Sequence, residues 1–330
     1  LDNKRDVSIV RRGYDLFHSI QYMADIIRHL PQMRDYDVVQ VTNPVFFDLR
    51  PEKNWAIFKY LKKHNKKIFI DALATDHYYV KTCLDGKTFR YSDFFVGDRP
   101  LPHPERKKML AAWIGGPNER PNIEMAQEAN GIIACLYEYY AAYQPEYADK
   151  LAYIPIPIDL SINPFHPIKS TPEVVKFFIG IQQHRTAIKG TDILLDVLRE
   201  IHDKYPRESH IQKVVSVPFD EYNKLLVDCH ILLDQLYSYT PATNALAAMA
   251  RGIIAVSGAE PEFYNFIGEQ KLRPVINVLP DRNDIFKQLE NLIIHRDQLP
   301  RLSAESRQFV EKYHDHVKVA RQYLEFWEKH

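Results

Sequence analysis

Short β-branched segments alternate with helical patterns along the whole chain, and this alternation constrains the fold more than any other feature of the sequence. In the first half, strands are predicted at residues 6–10, 37–42, 67–71, 131–135 and 151–154, with helices at 14–30 and 55–64. A strand, a helix and a second strand at this spacing form the βαβ unit of a parallel sheet. The first half is therefore predicted to be a Rossmann-like α/β domain.

The same alternation begins again after a proline-rich segment at residues 154–173, IPIPIDLSINPFHPIKSTPE. Strands are predicted at 174–179, 214–217, 231–234, 253–256 and 274–278, and helices at 190–205, 220–229, 243–251, 261–267, 284–294 and 304–328. A cluster of prolines without periodicity is typical of a linker. We therefore predict two parallel-sheet domains, 1–160 and 161–330, that face each other across a cleft. The last helix is expected to return to the first domain.

The charge balance excludes several classes of protein. Lys and Arg total 43 and Asp and Glu total 43, so the formal charge is zero. Such a chain is not a general nucleic-acid coat, and it lacks the polybasic character that would give more than a peripheral membrane contact. No apolar run approaches the length of a membrane-spanning helix. The first residues, LDNKRDVS, do not read as a signal peptide.

The thiols and the possible metal ligands are scattered. The cysteines, Cys83, Cys135 and Cys229, form no Cys-x-x-Cys pair, so neither a disulfide framework nor a zinc site is expected. None of the 14 histidines stands in a ligand pattern with a nearby acid. These features predict reduced thiols, a cytoplasmic location, no metal and no other cofactor.

Residues 81–122 interrupt the alternation of the first half. The segment is rich in proline, glycine, aspartate and arginine and shows weak periodicity. Because long irregular insertions in α/β domains are usually functional or mobile, we expect this one to contribute to a ligand pocket.

A polar loop after the first strand of the second half is the strongest local signal for a ligand site. In IGIQQHRTAIKGTDILLDVL, a strand ends at Gly180, and Arg185 and Lys189 precede Gly190, where a helix begins. Backbone N–H groups and the dipole at a helix start favour an anion, and arginine and lysine bind phosphate oxygens. The loop therefore predicts a diphosphate site. The alternative is a solvated loop in which Asp192 balances Lys189.

A second helix start follows the strand at 231–234. This helix begins near Thr243 and Asn244 and is rich in alanine, which allows close packing against a sheet or a ligand. After the next strand, Glu260 and Glu262 are placed to accept hydrogen bonds from sugar hydroxyls. The alternative is that both acids only stabilise a helix start, where the dipole favours negative charge.

These motifs occur in a defined order: IPIPID, NPF, a strand, the Arg and Lys-Gly of the polar loop, DQL, ALAAMARG, a strand ending in SG, and EPEF. The order resembles the C-terminal half of the family-four (group 1) retaining glycosyltransferases, over about residues 154–278. The resemblance implies a GT-B fold, in which two Rossmann-like domains face each other. It also implies that Arg185 and Lys189 grip the diphosphate of a nucleotide sugar and that the alanine-rich helix packs against this donor.

Two features depart from the pattern of that family. Its members usually carry two glutamates eight positions apart, and the aligned positions here are Tyr239 and Ala247. Since the second glutamate normally holds the donor ribose, we expect Glu260 or Glu262 to substitute for it. Members also begin with a strand and a glycine-rich turn that this sequence lacks, so the N-terminal domain is expected to be either truncated at its start or reduced.

The resemblance also implies catalytic residues in the N-terminal half. In the family a histidine follows a central strand and faces the donor sugar, and Asp76 and His77 in ALATDHYYV occupy that place. The carboxylate would orient the imidazole or stabilise positive charge on the sugar. The alternative is a satisfied loop histidine beside a turn aspartate. Glu138 and Tyr139, after the strand at 131–135, are predicted on the acceptor side, where the tyrosine either stacks on a sugar or only packs.

The sequence thus predicts transfer of a sugar from a nucleotide-diphosphate sugar to an acceptor hydroxyl, with retention and without a metal. The acceptor is expected to be a carbohydrate or a lipid-linked molecule in polysaccharide biosynthesis, bound in a pocket shaped by residues 81–122. Two alternatives stay open. One is a catalytically silent binding protein of the same fold, favoured by the loss of both glutamates, and the other is a nucleotide-sugar epimerase that needs no acceptor.

Overall fold

The computed structural model describes residues 12–330, and the strand predicted at 6–10 lies outside the described residues. The N-terminal sheet consists, in spatial order, of β1 (Val38–Val41), β2 (Lys67–Ala72), β5 (Gly131–Ala134) and β6 (Leu151–Tyr153), all parallel. A short antiparallel hairpin, β3 (Phe95–Val96) and β4 (Arg99–Pro100), falls between β2 and β5 in the chain.

The C-terminal sheet is also entirely parallel. Its spatial order is β11 (Ile276–Asn277), β10 (Ile254–Ser257), β9 (Ile231–Leu233), β7 (Val175–Ile181) and β8 (Ser209–Val215). The β8 strand begins earlier than the predicted 214–217. It lies at an edge of the sheet and most of its residues are not buried, so polar residues interrupt the apolar run that marks a central strand.

Helices connect the strands of both sheets, as the βαβ pattern predicts. They are α1 (Arg12–His29), α2 (Pro51–His64), α3 (His77–Cys83), α4 (Pro104–Trp113), α5 (Glu119–Glu128), α6 (Tyr137–Tyr147), α7 (Thr186–Lys189), α8 (Thr191–Lys204), α9 (Phe219–Leu226), α10 (Thr243–Ala250), α11 (Pro261–Phe266), α12 (Arg282–Ile294), α13 (Leu299–Tyr313) and α14 (His316–Lys329). Separate apolar clusters form around Ile70 and Ile132 in the N-terminal half and around Phe177 and Leu233 in the C-terminal half. The predicted α/β class with parallel Rossmann-like sheets is confirmed.

The prediction of an irregular insertion at 81–122 is wrong. The segment contains the β3–β4 hairpin, α4 and the start of α5, and its aromatic residues Phe89, Tyr91, Phe94 and Trp113 are buried in one cluster. In α4 only Arg106 and Trp113 are buried, so the helix has no continuous apolar stripe that a sequence pattern would reveal.

The single helix predicted at 304–328 is also wrong, because α13 and α14 are separate helices that meet at His314 and Asp315. The Asp315 carboxylate accepts a hydrogen bond from Val317 N at 2.9 Å and begins α14 as its N-cap. The carbonyl of His314 accepts a hydrogen bond from Ile158 N at 2.7 Å. The apolar spacing continues across this break, which is why the periodicity alone does not show it.

Helix α14 packs against the N-terminal sheet, although it is the last element of the chain. The ring of Phe326 lies 5.6 Å from that of Phe69 in β2, and Trp327 Nε1 donates to Gln40 Oε1 in β1 at 3.0 Å. Helix α13, in contrast, packs on α10 of the C-terminal half. Within residues 12–330, no helix combines the length and the apolarity needed to cross a membrane.

Candidate functional site

The carboxyl ends of strands from both sheets meet at a cavity of about 220 Å³, called here the central cavity. Residues after β2, β5, β7 and β9 line it, as expected for a ligand site in parallel α/β sheets. From the N-terminal half they are Leu73, Ala74, Thr75, Tyr79, Asp93, Leu136, Glu138 and Tyr139. From the linker and the C-terminal half they are Ile156, Arg185, Ile188, Lys189, Gln235, Tyr237, Ser238, Ala242 and Thr243.

A second cavity, of about 290 Å³, lies wholly within the C-terminal half and is called here the C-terminal cavity. Its lining comprises Gly180, Ile181, Gln182, Lys189, Val214, Ser216, Val217, Phe219, Tyr222 and Asn244. Phe219 is 75% exposed. Lys189 lines both cavities, so one cation connects them.

The polar loop after β7 is helical rather than extended. A 3₁₀ turn at Gln183–Arg185 leads into α7, which ends at Lys189. Gly190 then reverses the chain with φ +67°, and a Cβ atom there would lie 2.7 Å from Leu236 Cβ. This position therefore requires glycine. Gly190 itself lines neither cavity, so the structure brings Arg185 and Lys189 to the site but does not bring the start of α8.

Asp234, directly after β9, lines neither cavity but contacts two residues that do, and the sequence analysis did not single it out. It is 3% exposed, and its Oδ1 accepts from Asn244 Nδ2 at 2.9 Å and lies 3.9 Å from Lys189 Nζ. Its buried Oδ2 has no hydrogen-bond partner among the described residues. An acid at the end of a buried strand was the available signal, in the DQL motif. The pair places a carboxylate directly beside the cation that the two cavities share.

Thr243 and Asn244, at the start of α10, are separated by the structure. Thr243 lines the central cavity, whereas Asn244 lines the C-terminal cavity. The Asn244 side chain accepts from Tyr222 Oη at 3.0 Å while it donates to Asp234. These two hydrogen bonds fix its orientation at the wall of the C-terminal cavity.

Glu138, at the start of α6, joins the two halves. Its Oε1 accepts from Tyr239 N at 2.6 Å and from Thr240 N at 3.1 Å, and its Oε2 accepts from Thr240 Oγ1 at 2.6 Å. Burial raises the pKa of this carboxyl group, and the hydrogen bonds oppose that rise. Tyr139, the next residue, lines the central cavity with its ring 5.2 Å from that of Tyr79. Both predicted acceptor-side residues therefore lie at the central cavity.

Glu260 and Glu262 line neither cavity. Glu260 is 1% exposed, and its Oε1 accepts from Tyr91 Oη at 2.6 Å and from Asn277 Nδ2 at 2.9 Å. The Arg90 guanidinium pairs with Glu260 Oε2 and lies 3.1 Å from Glu262 Oε2. The two glutamates that were predicted to bind the donor ribose are thus paired with protein groups, chiefly those of the 81–122 segment.

The two positions that carry glutamates in the resembling family differ in their surroundings. Tyr239 is buried against the rings of Phe89 and Tyr91, at 5.2 and 4.9 Å, and its hydroxyl accepts from Arg90 N at 2.6 Å. Ala247 lies within α10, with no polar group to offer. The Tyr239 contacts bind the loop after β9 to the N-terminal half.

Asp76 and His77 also lie outside the lining of both cavities. Asp76 is the N-cap of α3, and it accepts from Tyr79 N and from Tyr143 Oη, both at 2.8 Å. Burial raises its pKa to about 6. His77 Nδ1 lies 2.9 Å from the Trp113 carbonyl oxygen. These contacts fit the structural alternative, a satisfied histidine beside a capping aspartate, better than a catalytic pair that faces a sugar.

The arrangement of possible metal ligands can be followed over the described residues. Throughout residues 12–330, no three His, Cys, Asp or Glu side chains are grouped closely enough to hold a metal ion. Cys83 and Cys229 are buried and Cys135 is partly buried, all as free thiols.

Comparisons with solved structures identify the architecture. Sucrose-phosphate synthase of Thermosynechococcus elongatus superposes with a TM-score of 0.61 at 12% identity, covering 98% of this chain and 81% of that one. HepE of Anabaena in complex with UDP-glucose gives 0.54 at 12% identity, covering 89% and 79%. The chain has a GT-B fold.

A third structure extends this likeness. The pneumococcal O-GlcNAc transferase GtfA in complex with UDP and GlcNAc superposes on the GT-B chain with a TM-score of 0.58 at 9% identity, covering 92% of this chain and 59% of that one. No protein-family model and no curated protein sequence matches the chain. At these identities the likeness establishes the fold, and the function has to be argued from the site.

Proposed function

We propose that this protein transfers a sugar from a nucleotide-diphosphate sugar to an acceptor hydroxyl. The observation that carries the proposal is the position of Lys189, which lines both cavities, while Arg185 also lines the central cavity. A nucleoside diphosphate has an aromatic base at one end and charged phosphates at the other. The C-terminal cavity offers the rings of Phe219 and Tyr222 to the base, and Lys189 stands where the phosphates would follow.

The same arrangement places the reacting bond in the central cavity. When the bond between the sugar C1 and the phosphate oxygen breaks, negative charge develops on the leaving diphosphate. Arg185 and Lys189 would stabilise that charge in the transition state. Thr243, at the start of α10, adds a hydroxyl and a helix N-terminus on the same wall. Residues 161–330 would then bind the donor, and residues 1–160 would bind the acceptor on the side of the cavity lined by Tyr139 and by Glu138, whose carboxylate is held by Tyr239 and Thr240.

Several finer features belong to this proposal. We propose retention at the anomeric carbon, and independence from metal because two cations are available to the diphosphate. Activity that disappears with a chelator and returns with Mg²⁺ or Mn²⁺ would contradict the second feature. HepE was solved with UDP-glucose and GtfA with UDP and GlcNAc, which makes UDP and UDP-glucose the first probes to use. We also propose that the acceptor is a carbohydrate or a lipid-linked molecule and that the reaction belongs to polysaccharide biosynthesis in the cytoplasm.

Calorimetry with UDP tests the proposal directly. Lys189→Ala should weaken UDP binding about tenfold or more, because a charge-assisted hydrogen bond is worth about 1.5–3 kcal/mol. Lys287→Ala, an exposed lysine on α12, is the matched control and should bind UDP as the parent does. Equal affinities for the parent and Lys189→Ala would remove Lys189 from the site.

A catalytically silent nucleotide-sugar-binding protein is the second candidate. Arg90 and Tyr91 of the 81–122 segment form hydrogen bonds with Tyr239 and Glu260. These side chains are therefore not available to replace the glutamates that the resembling family uses, which favours a protein that binds without catalysing transfer. Incubation with UDP-glucose separates the two functions, since an enzyme releases UDP by transfer or slow hydrolysis and a binding protein returns the donor intact.

A further inference from the structure

Asp93 belongs to the 81–122 segment but lies in the wall of the central cavity that also contains Arg185 and Lys189. Its Oδ2 accepts one hydrogen bond, from Tyr79 Oη at 3.2 Å. Within the part of the chain that the structure describes, no other side chain donates a hydrogen bond to this carboxylate. A carboxylate has about four acceptor sites, so most of the hydrogen-bonding capacity of Asp93 is available to a ligand.

The main chain of Asp93 is fixed relative to the two cations. The Arg106 guanidinium donates to the Asp93 carbonyl and, through a second nitrogen, to the Ala187 carbonyl in α7 at 2.8 Å. Helix α7 ends at Lys189. One buried arginine therefore connects the loop that carries Asp93 to the helix that carries the shared cation. Ser92 N also donates to the Phe95 carbonyl at 2.9 Å, which closes the turn around Asp93.

The surroundings of this carboxylate select the kind of group that it can bind. Burial raises the pKa of Asp93 to about 6, and the charges of Arg106 and Arg185 oppose the rise, so the group is mostly ionised at neutral pH. A phosphate would be repelled by the like charge. A metal cation would be repelled by Arg185 and Lys189. A neutral hydroxyl has neither conflict, and its hydrogen bond to a carboxylate is charge-assisted.

We propose that Asp93 accepts a hydrogen bond from a sugar hydroxyl in the central cavity and so positions that sugar against Arg185 and Lys189. The inference rests on the proposed function, because it takes the central cavity to be the place where a sugar binds. The hydroxyl can come from the donor sugar or from the acceptor, and the two sources predict different losses when the carboxylate is removed.

The test uses Asp93→Ala and Asp93→Asn, with Asp98→Ala as the matched control in the exposed β3–β4 turn. Calorimetry measures UDP, UDP-glucose and, with UDP-loaded protein, a panel of methyl hexopyranosides. If Asp93 holds the donor sugar, Asp93→Ala weakens UDP-glucose about tenfold and leaves UDP unchanged. If Asp93 holds the acceptor, the loss is confined to one or more methyl hexosides. Asp93→Asn should lose less affinity than Asp93→Ala in either case, since it removes the charge but keeps an acceptor oxygen. Because asparagine has nearly the same shape as aspartate, Asp93→Asn also serves as the test variant if Asp93→Ala melts at a low temperature.

Two negative results have different meanings. If the parent binds UDP and UDP-glucose but Asp93→Ala binds every probe as the parent does, the inference about Asp93 is overturned and the proposed function stands. If the parent binds neither UDP nor UDP-glucose, the proposed function falls and the inference falls with it.

Discussion

Two groups of charged residues at strand ends of the same C-terminal sheet have opposite environments. Arg185 and Lys189, after β7, line the central cavity, and Lys189 also lines the C-terminal cavity. Glu260 and Glu262, after β10, line neither cavity and pair with Arg90 of the N-terminal half. The cations are therefore available to a ligand, whereas the acids hold the two halves together.

The comparison shows that a strand-end position does not by itself make a ligand site. Both groups follow a parallel strand at the edge where ligands usually bind, and the sequence analysis predicted both of them to bind the donor. What separates them is the 81–122 segment, which covers the acids with Arg90 and Tyr91 and leaves the cations open. Glu138 has the same joining role as Glu260 and Glu262, because it lies in the N-terminal half and accepts hydrogen bonds from the loop after β9 in the C-terminal half.

The largest change in stability is expected when Glu138, which joins the two halves through three hydrogen bonds, is removed. Glu138→Ala leaves two backbone N–H groups and one hydroxyl buried without their acceptor. The free energy of unfolding in urea should fall by about 3 kcal/mol, as for the loss of one partner of a buried charged contact. Glu146→Ala, on the same helix but in the exposed pair with Lys81, should change it by less than about 1 kcal/mol. Equal losses in the two variants would show that the buried contacts of Glu138 stabilise the fold no more than an exposed ion pair does.

Arg90→Ala tests whether the acids belong to the donor site or only to the interface. Arg90 is more than half exposed, so its loss should lower the free energy of unfolding by only about 1–2 kcal/mol. The affinity for UDP should not change, because Glu260 and Glu262 line neither cavity. Arg120→Ala, which removes an exposed pair with Glu124 on one helix, is the control for surface charge. A tenfold change in UDP affinity for Arg90→Ala alone would return Glu260 to the list of donor-binding residues.

The sheets and most helices were predictable because they depend on local periodicity. A buried parallel strand such as β9 is a continuous apolar run, and α8 repeats its apolar residues at helical spacing, so both are visible without knowledge of their neighbours. Helix α4 was missed and the edge strand β8 was predicted only at its end, because few of their residues are buried and no continuous apolar pattern marks them. The break before α14 had a local signal in Asp315, but the unbroken apolar spacing outweighed it.

The candidate site was predictable only in part, because its composition depends on contacts between distant residues. The cationic loop could be found from Arg185, Lys189 and Gly190 within six positions of the chain. The pairing of Arg90 with Glu260 joins residues 170 positions apart, and nothing in either local sequence indicates the other. The placement of Asp93 relative to the cations depends on Arg106, which also donates to the Ala187 carbonyl 81 positions along the chain. Sequence patterns therefore propose strand-end residues, and the packing of the two halves decides which of them face a ligand.

The smallest effect is a change in UDP affinity, and it is expected from substitution of Asp234, the acid beside Lys189. Its Oδ1 lies 3.9 Å from Lys189 Nζ, so it reduces the positive potential that a diphosphate would meet. Asp234→Asn preserves an oxygen that can accept from Asn244 Nδ2 and removes the negative charge. We expect UDP to bind about two- to fivefold more tightly, since one nearby charge is removed but the protein and solvent screen its effect. Asp228→Asn, an exposed aspartate before β9, should leave the affinity unchanged. Weaker binding of UDP by Asp234→Asn would instead show that Asp234 positions Lys189 for the ligand. A buried acid would then hold a cation in place in the donor site, as Glu260 holds Arg90 between the two halves.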